Sequence, residues 1–280
     1  MASFEIKDGV AIIPARTTEI PSKAFENSKE LTTVVLPKSV KRIGSRAFFG
    51  CSSLPSVFIP KNVTSIGEAA FAACTSLTSI VVEDGNPIYD SRDNCNAIIE
   101  TATNTLIKGC SSPTSIYIPS SVTSIGHFAY SRCSLLTSVF IPKNVTSIGE
   151  AAFVACTSLT SIVVEGGNPI YDSRDNCNAI IETATNTLIQ GCCSLTEITI
   201  PNSVKSIGNG AFSGCYSLTN IVISESVKSI GGSAFRYCIS LTSITFQGTI
   251  AQWKEIEFGE DWNEEIPAKV VHCTDGDLEI

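Results

Sequence analysis

Apolar residues recur along this chain with a fixed spacing of 23 residues. The pattern L-x-x-I-x-I-P-x-x-V-x-x-I-G-x-x-A-F-x-x-C-x-x stands, for example, as LPSVFIPKNVTSIGEAAFAACTS. It begins at Leu31, Leu54, Leu136, Leu195 and Leu218, with a proline variant at Pro113 and a degenerate unit near Asp8. Self-similarity at such a period is typical of repeat proteins whose units stack on their neighbours.

Each unit predicts one short strand followed by a return path. The segment L-T-S-I-V-I alternates apolar and polar positions and is rich in β-branched residues, which favours a strand. The proline after it removes a ladder donor and ends the strand. On the return path we expect Val, Ile and the Ala-Phe pair to point inward and the glycine to allow a tight bend. Stacked units would place about nine strands in one parallel sheet, roughly 4.8 Å apart.

Two units, 77–112 and 159–194, are 13 residues longer than the others. Both contain the sequence NPIYDSRDNCNAIIETATNTLI, at 86–107 and again at 168–189. Residues 56–110 and 138–192 differ at three positions, Ala72/Val154, Asp84/Gly166 and Lys108/Gln190. We interpret this identity as a tandem duplication, which preserves residues whether or not they act. The stretch NAIIE-TATN-TLI predicts two strands around a polar turn, so each long unit should carry an inserted hairpin.

The motif IP..V..IG..AF..C..L, recurring in phase over about residues 8–248, resembles the Treponema-type (BspA-like) class of leucine-rich repeat proteins. The resemblance implies a leucine-rich repeat solenoid, an α/β-type horseshoe that is mostly β, with a concave parallel sheet and an irregular convex side. Residues 1–250 would form the solenoid, with a degenerate N-terminal unit at 8–30, and residues 251–280 an acidic C-terminal cap. The resemblance also implies a non-enzymatic protein-binding or adhesion module at the cell surface, whose ligand would be a host matrix or bacterial surface protein.

Charge and hydropathy exclude two classes of partner. The net charge is −8, and residues 251–280 hold nine acidic side chains against two lysines, so the rest of the chain is close to neutral. Without a basic stripe, we expect no nucleic-acid binding. No apolar run approaches the roughly 18 residues of a membrane span, so we expect no membrane insertion. The start, MASFEIKDGV, lacks the pattern of a signal peptide, which leaves a cytoplasmic location open beside an extracellular one.

Twelve cysteines need an interpretation, and eight of them share one repeat position. We predict that these eight form a reduced, buried packing ladder rather than redox or metal sites, because buried cysteine behaves as a small hydrophobe. The adjacent pair Cys192 and Cys193 is not a zinc signature. Cys95 and Cys177, in the long units, are predicted to pack at the base of the hairpin rather than to act as reactive thiols. The eight are Cys51, Cys74, Cys110, Cys133, Cys156, Cys192, Cys215 and Cys238.

The remaining polar candidates predict no catalysis, metal or cofactor. Asp90 and Asp93, repeated as Asp172 and Asp175, could suggest a calcium loop, but the EF-hand spacing is absent and such residues favour turns. An enzyme would need an unpredicted pocket holding His127 or His272. In the tail, Trp253, Phe258 and Trp262 should cover the last coil rather than stack a ligand.

The outward strand positions predict the binding surface. They form an apolar-aromatic stripe beside a stripe of mostly hydroxyl side chains, and exposed apolar columns of this kind mark interaction surfaces. Equally, such residues could simply stabilise neighbouring strands. A carbohydrate-binding surface and an intracellular scaffold are the alternative functions. The predicted ligand-binding residues are Phe58, Tyr117, Phe140, Val35, Val81, Val163 and Val222.

Overall fold

The computed structural model describes residues 4–111 and 113–280, which form short strands, two 3₁₀ turns and one α-helix. In chain order the strands begin with β1 (Glu5–Lys7), β2 (Val10–Ile12), β3 (Glu19–Ile20), β4 (Arg42–Ile43), β5 (Ser56–Ile59), β6 (Ser65–Ile66), β7 (Ser79–Val82), β8 (Tyr89–Asp90), β9 (Ala97–Glu100), β10 (Thr105–Gly109), β11 (Ser124–Ile125), β12 (Ser138–Ile141) and β13 (Ser147–Ile148). They continue with β14 (Ser161–Val164), β15 (Tyr171–Asp172), β16 (Ala179–Glu182), β17 (Thr187–Gly191), β18 (Glu197–Thr199), β19 (Ser206–Ile207), β20 (Asn220–Ile223), β21 (Ser229–Ile230), β22 (Ser243–Phe246), β23 (Glu257–Phe258), β24 (Val270–Cys273) and β25 (Gly276–Glu279). The 3₁₀ turns span Arg92–Asn94 and Arg174–Asn176, and the helix α1 spans Ile250–Lys254.

The chain divides into two compact units. Unit 1 holds the described residues up to Leu136 together with Ser147–Phe153, and unit 2 holds Thr137–Thr146 and Val154–Ile280. Each unit contains one of the two long repeats, so the strands of the long repeat occur once in each unit, as β8–β10 and as β15–β17.

Parallel strands stack from coil to coil in both units, as predicted. In unit 1, β5 pairs with β7 so that Val57 lies beside Ile80 and Phe58 beside Val81. In unit 2, β12 pairs with β14, and a separate sheet runs in the order β18-β20-β22-β24-β25. The inward residues of these strands are buried and the outward ones lie at the surface.

The expectation of one sheet of about nine strands was too simple. The long repeats interrupt the ladder, because the main-chain N–H of Val82, at the end of β7, donates to Oγ of Ser91 (3.1 Å) instead of to a following strand. Val164 and Ser173 repeat this contact at the end of β14 (3.1 Å). The coil with Val35 makes a single bridge, between Val10 and Thr33, rather than a four-residue strand.

A second set of parallel strands, each two residues long, arises on the return path, in most coils just before the repeat glycine. In unit 1, β3, β4 and β6 pair in order, and in unit 2, β19 pairs with β21 and β21 with β23. The repeat glycine serves this close approach rather than the tight bend we expected. A Cβ on Gly67 would overlap the main-chain nitrogen of Ser45 in the neighbouring coil.

The predicted hairpins are confirmed as β9 with β10 and β16 with β17, both antiparallel. The sequence did not indicate that β10 also continues the second set of strands, where it pairs in parallel with β11 and places Leu106 beside Ile125. Asn86 anchors the insertion, because its Nδ2 donates to the carbonyls of Pro60 and Val63 and its Oδ1 accepts two main-chain N–H groups. The long repeat therefore replaces part of a coil rather than adding a loop to it.

Buried aromatic rings stack along the core, and the long repeats break the stack. Phe25, Phe48 and Phe71 stack with centroids 5.1 and 5.2 Å apart. In the next coil Gly109 takes the phenylalanine position, since its N–H donates to the carbonyl of Ala129 (3.1 Å) as Phe48 donates to Ala70 (2.8 Å). The ring of Tyr130 occupies the space that a side chain on Gly109 would need.

The C-terminal tail covers the last coil as predicted. The helix α1 begins with a capping box between Thr249 and Gln252, which satisfies main-chain donors at its N-terminus. Trp253 is buried and contacts the rings of Phe246, Phe258 and Trp262. Trp253 is thus part of the core of unit 2, Trp262 packs against that core, and Phe258 remains 38% exposed.

We expect Gly109→Ala and Gly191→Ala to destabilise the fold, each by roughly 1–3 kcal/mol, because each new methyl group must displace a buried ring. At Gly191 that ring is Phe212. Urea unfolding followed by circular dichroism measures the change. Gly166→Ala is the matched control, since its Cβ would meet no atom within 4 Å. Equal stabilities for all three variants would contradict the packing described here.

Candidate binding face

In unit 1 the structure places the predicted side chains at the surface. Phe58 and Val81 lie beside each other on the outward face of β5 and β7, and the Phe58 side chain is 52% exposed. Tyr117 is 57% exposed and Val35 is also exposed, although neither belongs to a strand. We call these four residues stripe 1.

In unit 2 the corresponding set is shorter. Phe140 and Val163 are exposed and paired across β12 and β14, which repeats the Phe58–Val81 arrangement. Val222 on β20 is half-buried, so it offers less surface than predicted. Phe140, Val163 and Val222 form stripe 2.

Polar side chains accompany both stripes. Ser56 and Ser138 are exposed at the first outward position of their strands, and Ser79 and Ser161 are half-buried beside them. The threonines at the start of the strands direct their hydroxyls toward the preceding coil, as where Thr78 Oγ1 donates to the carbonyl of Pro55 (3.0 Å). Each stripe is therefore an apolar surface with serine hydroxyls along one side.

The cysteine ladder is present in the regular coils and changes beside the long repeats. Thiols donate to the phenylalanine carbonyls of the preceding coil, Cys51 to Phe25 and Cys74 to Phe48, both at 3.1 Å. The expectation of eight reduced rungs was wrong at Cys215, which forms a disulfide with Cys193, the Cα atoms lying 4.2 Å apart. The cause is the second cysteine of the adjacent pair, which stands where the first long repeat has Ser111.

Burial disfavours a reactive thiolate at several of the ladder cysteines. Burial raises the pKa of the thiols of Cys51, Cys110, Cys192 and Cys238 to about 12, from an ordinary value of 9.0. Burial also raises the pKa of Cys95 to about 11, so the residue that could have been a nucleophile stays protonated near neutral pH.

The acidic and histidine candidates have structural partners. Asp90 accepts from Nε of Arg92 through both carboxylate oxygens (2.9 and 3.0 Å), and Arg92 reaches Asn104 of the hairpin turn (2.8 Å). His127 Nδ1 accepts the main-chain N–H of Glu150 (3.1 Å).

Among residues 4–111 and 113–280, no group of three His, Cys, Asp or Glu side chains could hold a metal ion. In the same residues no helix is long and apolar enough to cross a membrane.

Lys108 is a buried cation whose burial the sequence did not indicate. Its side chain is buried, and Nζ donates to the carbonyl of Ala129 (3.0 Å) and to Oγ of Ser111 (3.3 Å). Gln190, at the duplicated position, donates to the carbonyls of Gly191 (2.9 Å) and Ala211 (3.3 Å). Both side chains thus satisfy carbonyls beside the glycine that replaces phenylalanine, which is a structural role.

Comparison with known proteins supports the repeat assignment. The sequence matches the family model of the BspA type leucine rich repeat region, in six copies, over residues 9–95, 91–177 and 182–263. A structure of a leucine rich cell surface protein from Faecalibacterium prausnitzii A2-165 is 33% identical, with a TM-score of 0.64, over 88% of this chain and 61% of that one. The pneumococcal vaccine antigen PcpA is 19% identical, with a TM-score of 0.50, over 93% of this chain and 61% of its own, and shows the fold alone. This chain therefore spans less than two thirds of each, and the comparison with curated proteins gave no match.

We expect position 108 to require a side-chain hydrogen-bond donor rather than a positive charge. Lys108→Gln should change the free energy of unfolding by less than about 1 kcal/mol, because Gln190 makes equivalent bonds in the second copy. Lys108→Glu should cost about 3 kcal/mol or more, because a buried carboxylate would face the carbonyl of Ala129. Chemical denaturation of the two variants measures this difference, and similar stabilities would refute the assignment.

Stability should fall at alkaline pH because the folded thiols resist ionisation. Unfolded thiols ionise near pH 9.0, whereas the folded ones have pKa values of about 12. The contribution of these thiols to the free energy of unfolding is therefore fully present below pH 9 and is lost as the pH rises toward 12. Each thiol contributes a slope of up to about 1.4 kcal/mol per pH unit. Urea titrations between pH 7.5 and 10.5 measure it, and the variant Cys51→Ala/Cys110→Ala/Cys238→Ala should show a shallower slope. Equal slopes would contradict the burial effect.

Proposed function

Because this chain belongs to the BspA type leucine-rich repeat family, we propose that it is a protein-binding module that acts at a cell surface. The stripes on the outward faces of the parallel strands would contact the partner. The cell-surface description of the Faecalibacterium prausnitzii protein, which is 33% identical, supports the location.

The exposure of aromatic side chains carries this proposal. Phe58 and Tyr117 in stripe 1 are each more than half exposed, although large aromatic side chains contribute most when they are buried. Exposed aromatic residues are frequent anchors of protein interfaces, where burial against a partner recovers the hydrophobic free energy that exposure forfeits.

Cross-strand stabilisation is the competing explanation, and the structure limits how far it extends. Phe58 and Val81 are directly paired, so part of their contact area stabilises the sheet. Tyr117 lies outside any strand and yet is the most exposed aromatic of the set. A surface for a partner accounts for Tyr117 as well as for the paired residues.

Adhesion is the finer form of this proposal, and binding assays test it. The full chain would be screened against extracellular-matrix proteins, bacterial surface proteins and a glycan array. Phe58→Ser/Tyr117→Ser tests stripe 1 and Phe140→Ser tests stripe 2. Tyr216→Ser/Ile239→Ser is the matched control, because these side chains are comparably exposed (46% and 59%) but lie outside both stripes.

We expect a protein ligand whose affinity falls at least tenfold in a stripe variant and is unchanged in the control. Thermal melts would confirm that all variants are folded. A ligand that binds the stripe variants normally would move the function away from the stripes. Binding to glycans alone would replace the protein-binding proposal with a carbohydrate-binding one.

A further inference from the structure

In unit 2, β18 is the terminal strand of a five-stranded sheet. The register of β18 with β20 determines which of its main-chain groups bond to β20. The N–H of Asn220 donates to the carbonyl of Thr196 (3.1 Å), and the N–H of Ile200 donates to the carbonyl of Val222 (2.8 Å). In a parallel pair, alternate residues bond to one neighbour. The N–H and C=O groups of Glu197 and Thr199 therefore point away from β20, toward the preceding long repeat.

The fold closes other edges of this kind but leaves this one open. At the end of β14 the hydroxyl of Ser173 accepts the N–H of Val164, and at the end of β7 Ser91 does the same for Val82. Among the described residues, no strand or side chain makes the equivalent bond to Glu197 or Thr199. An open edge with unpaired donors and acceptors is a template for another strand.

A cleft of about 650 Å³ runs along this edge. Glu197 to Pro201 line it, together with Asp175, Cys177 and Asn178 of the long repeat. All of these residues belong to unit 2. The volume lies within the range of about 300–1,000 Å³ that is usual for ligand sites.

The charge of the cleft selects among peptides. Asp175 and Glu197 are exposed carboxylates, and the described residues that line the cleft include no lysine or arginine. Asp175 Oδ2 accepts a long hydrogen bond from Ser203 Oγ (3.4 Å). Leu195 and Pro201 add apolar surface beside them.

We propose that this cleft binds an extended peptide segment, carrying a lysine or arginine, that adds to β18 as a further strand. Main-chain bonds to Glu197 and Thr199 would give affinity, and the carboxylates of Asp175 and Glu197 would select the basic side chain. This site differs from stripes 1 and 2, because it uses main-chain groups at a sheet edge rather than outward apolar side chains.

A random heptapeptide library selected on the full chain tests the proposal. We expect the enriched peptides to be rich in β-branched residues with at least one lysine or arginine, and to lack proline at their centre, where it would remove a ladder donor. The affinity of synthetic copies would be measured by fluorescence anisotropy. No enriched peptide, or enrichment of acidic ones, would overturn the proposal.

Two variants examine the edge and the charge separately. Thr199→Pro removes an N–H that faces the cleft and that the fold does not use, whereas Thr199→Val retains it and is the matched control. Glu197→Lys reverses the charge without changing the main chain. We expect at least a tenfold loss of peptide affinity in Thr199→Pro and in Glu197→Lys, with no loss in Thr199→Val.

The same peptides distinguish this site from the stripes. They should bind Phe140→Ser and Phe58→Ser/Tyr117→Ser as they bind the unaltered chain. Circular dichroism would show whether Thr199→Pro is folded, and Glu197→Lys tests the proposal if it is not. Peptides that bind Glu197→Lys normally, or that lose affinity in the stripe variants, would refute the edge site.

Discussion

The close stacking of one coil on the next is the constraint on which the rest of this structure depends. Successive coils are joined by main-chain hydrogen bonds about 23 residues apart, as from Thr64 to Lys41 and from Lys228 to Lys205 (both 2.8 Å). A side chain at the glycine of the I-G pair would collide with the neighbouring main chain, as Gly67 shows. The thiols and phenylalanine rings that stack behind these bonds fill the core at the spacing that the main chain sets.

The long repeats keep this spacing although they replace much of the return path of the coil. The strand β10 supplies the parallel partner for β11, and Gly109 gives the Tyr130 ring the room that a phenylalanine would have occupied. Lys108 then donates to the carbonyl of Ala129 beside it. These changes belong together, because Gly109, the Tyr130 ring that fills its space and the donor Lys108 all lie at the same point of the stack.

Sequence reasoning recovered the repeat, the hairpins, the cap and the outward positions, because each leaves a periodic or compositional signal. Phe58 and Tyr117 could be placed at the surface simply by counting positions from the start of the repeat unit. The breaks after β7 and β14 could not be predicted, since each involves a single hydroxyl, that of Ser91 or Ser173, that reaches the strand edge. The Cys193–Cys215 disulfide was also missed, because the repeat pattern assigns Cys215 to the reduced ladder and says nothing of a thiol next to Cys192.

The coil after each long repeat shows how such a scaffold can acquire different surfaces. After the first long repeat this coil reads PTSIYIPSSV, and after the second it reads LTEITIPNSV. Tyr117 and Thr199 hold the same repeat position, but the first exposes an aromatic ring and the second lies on an open strand edge beside Glu197. The inward residues of both coils, such as Ile118 and Ile200, stay buried. Because stacking constrains the inward positions and leaves the outward ones free, recognition can diverge between coils without a change in the fold.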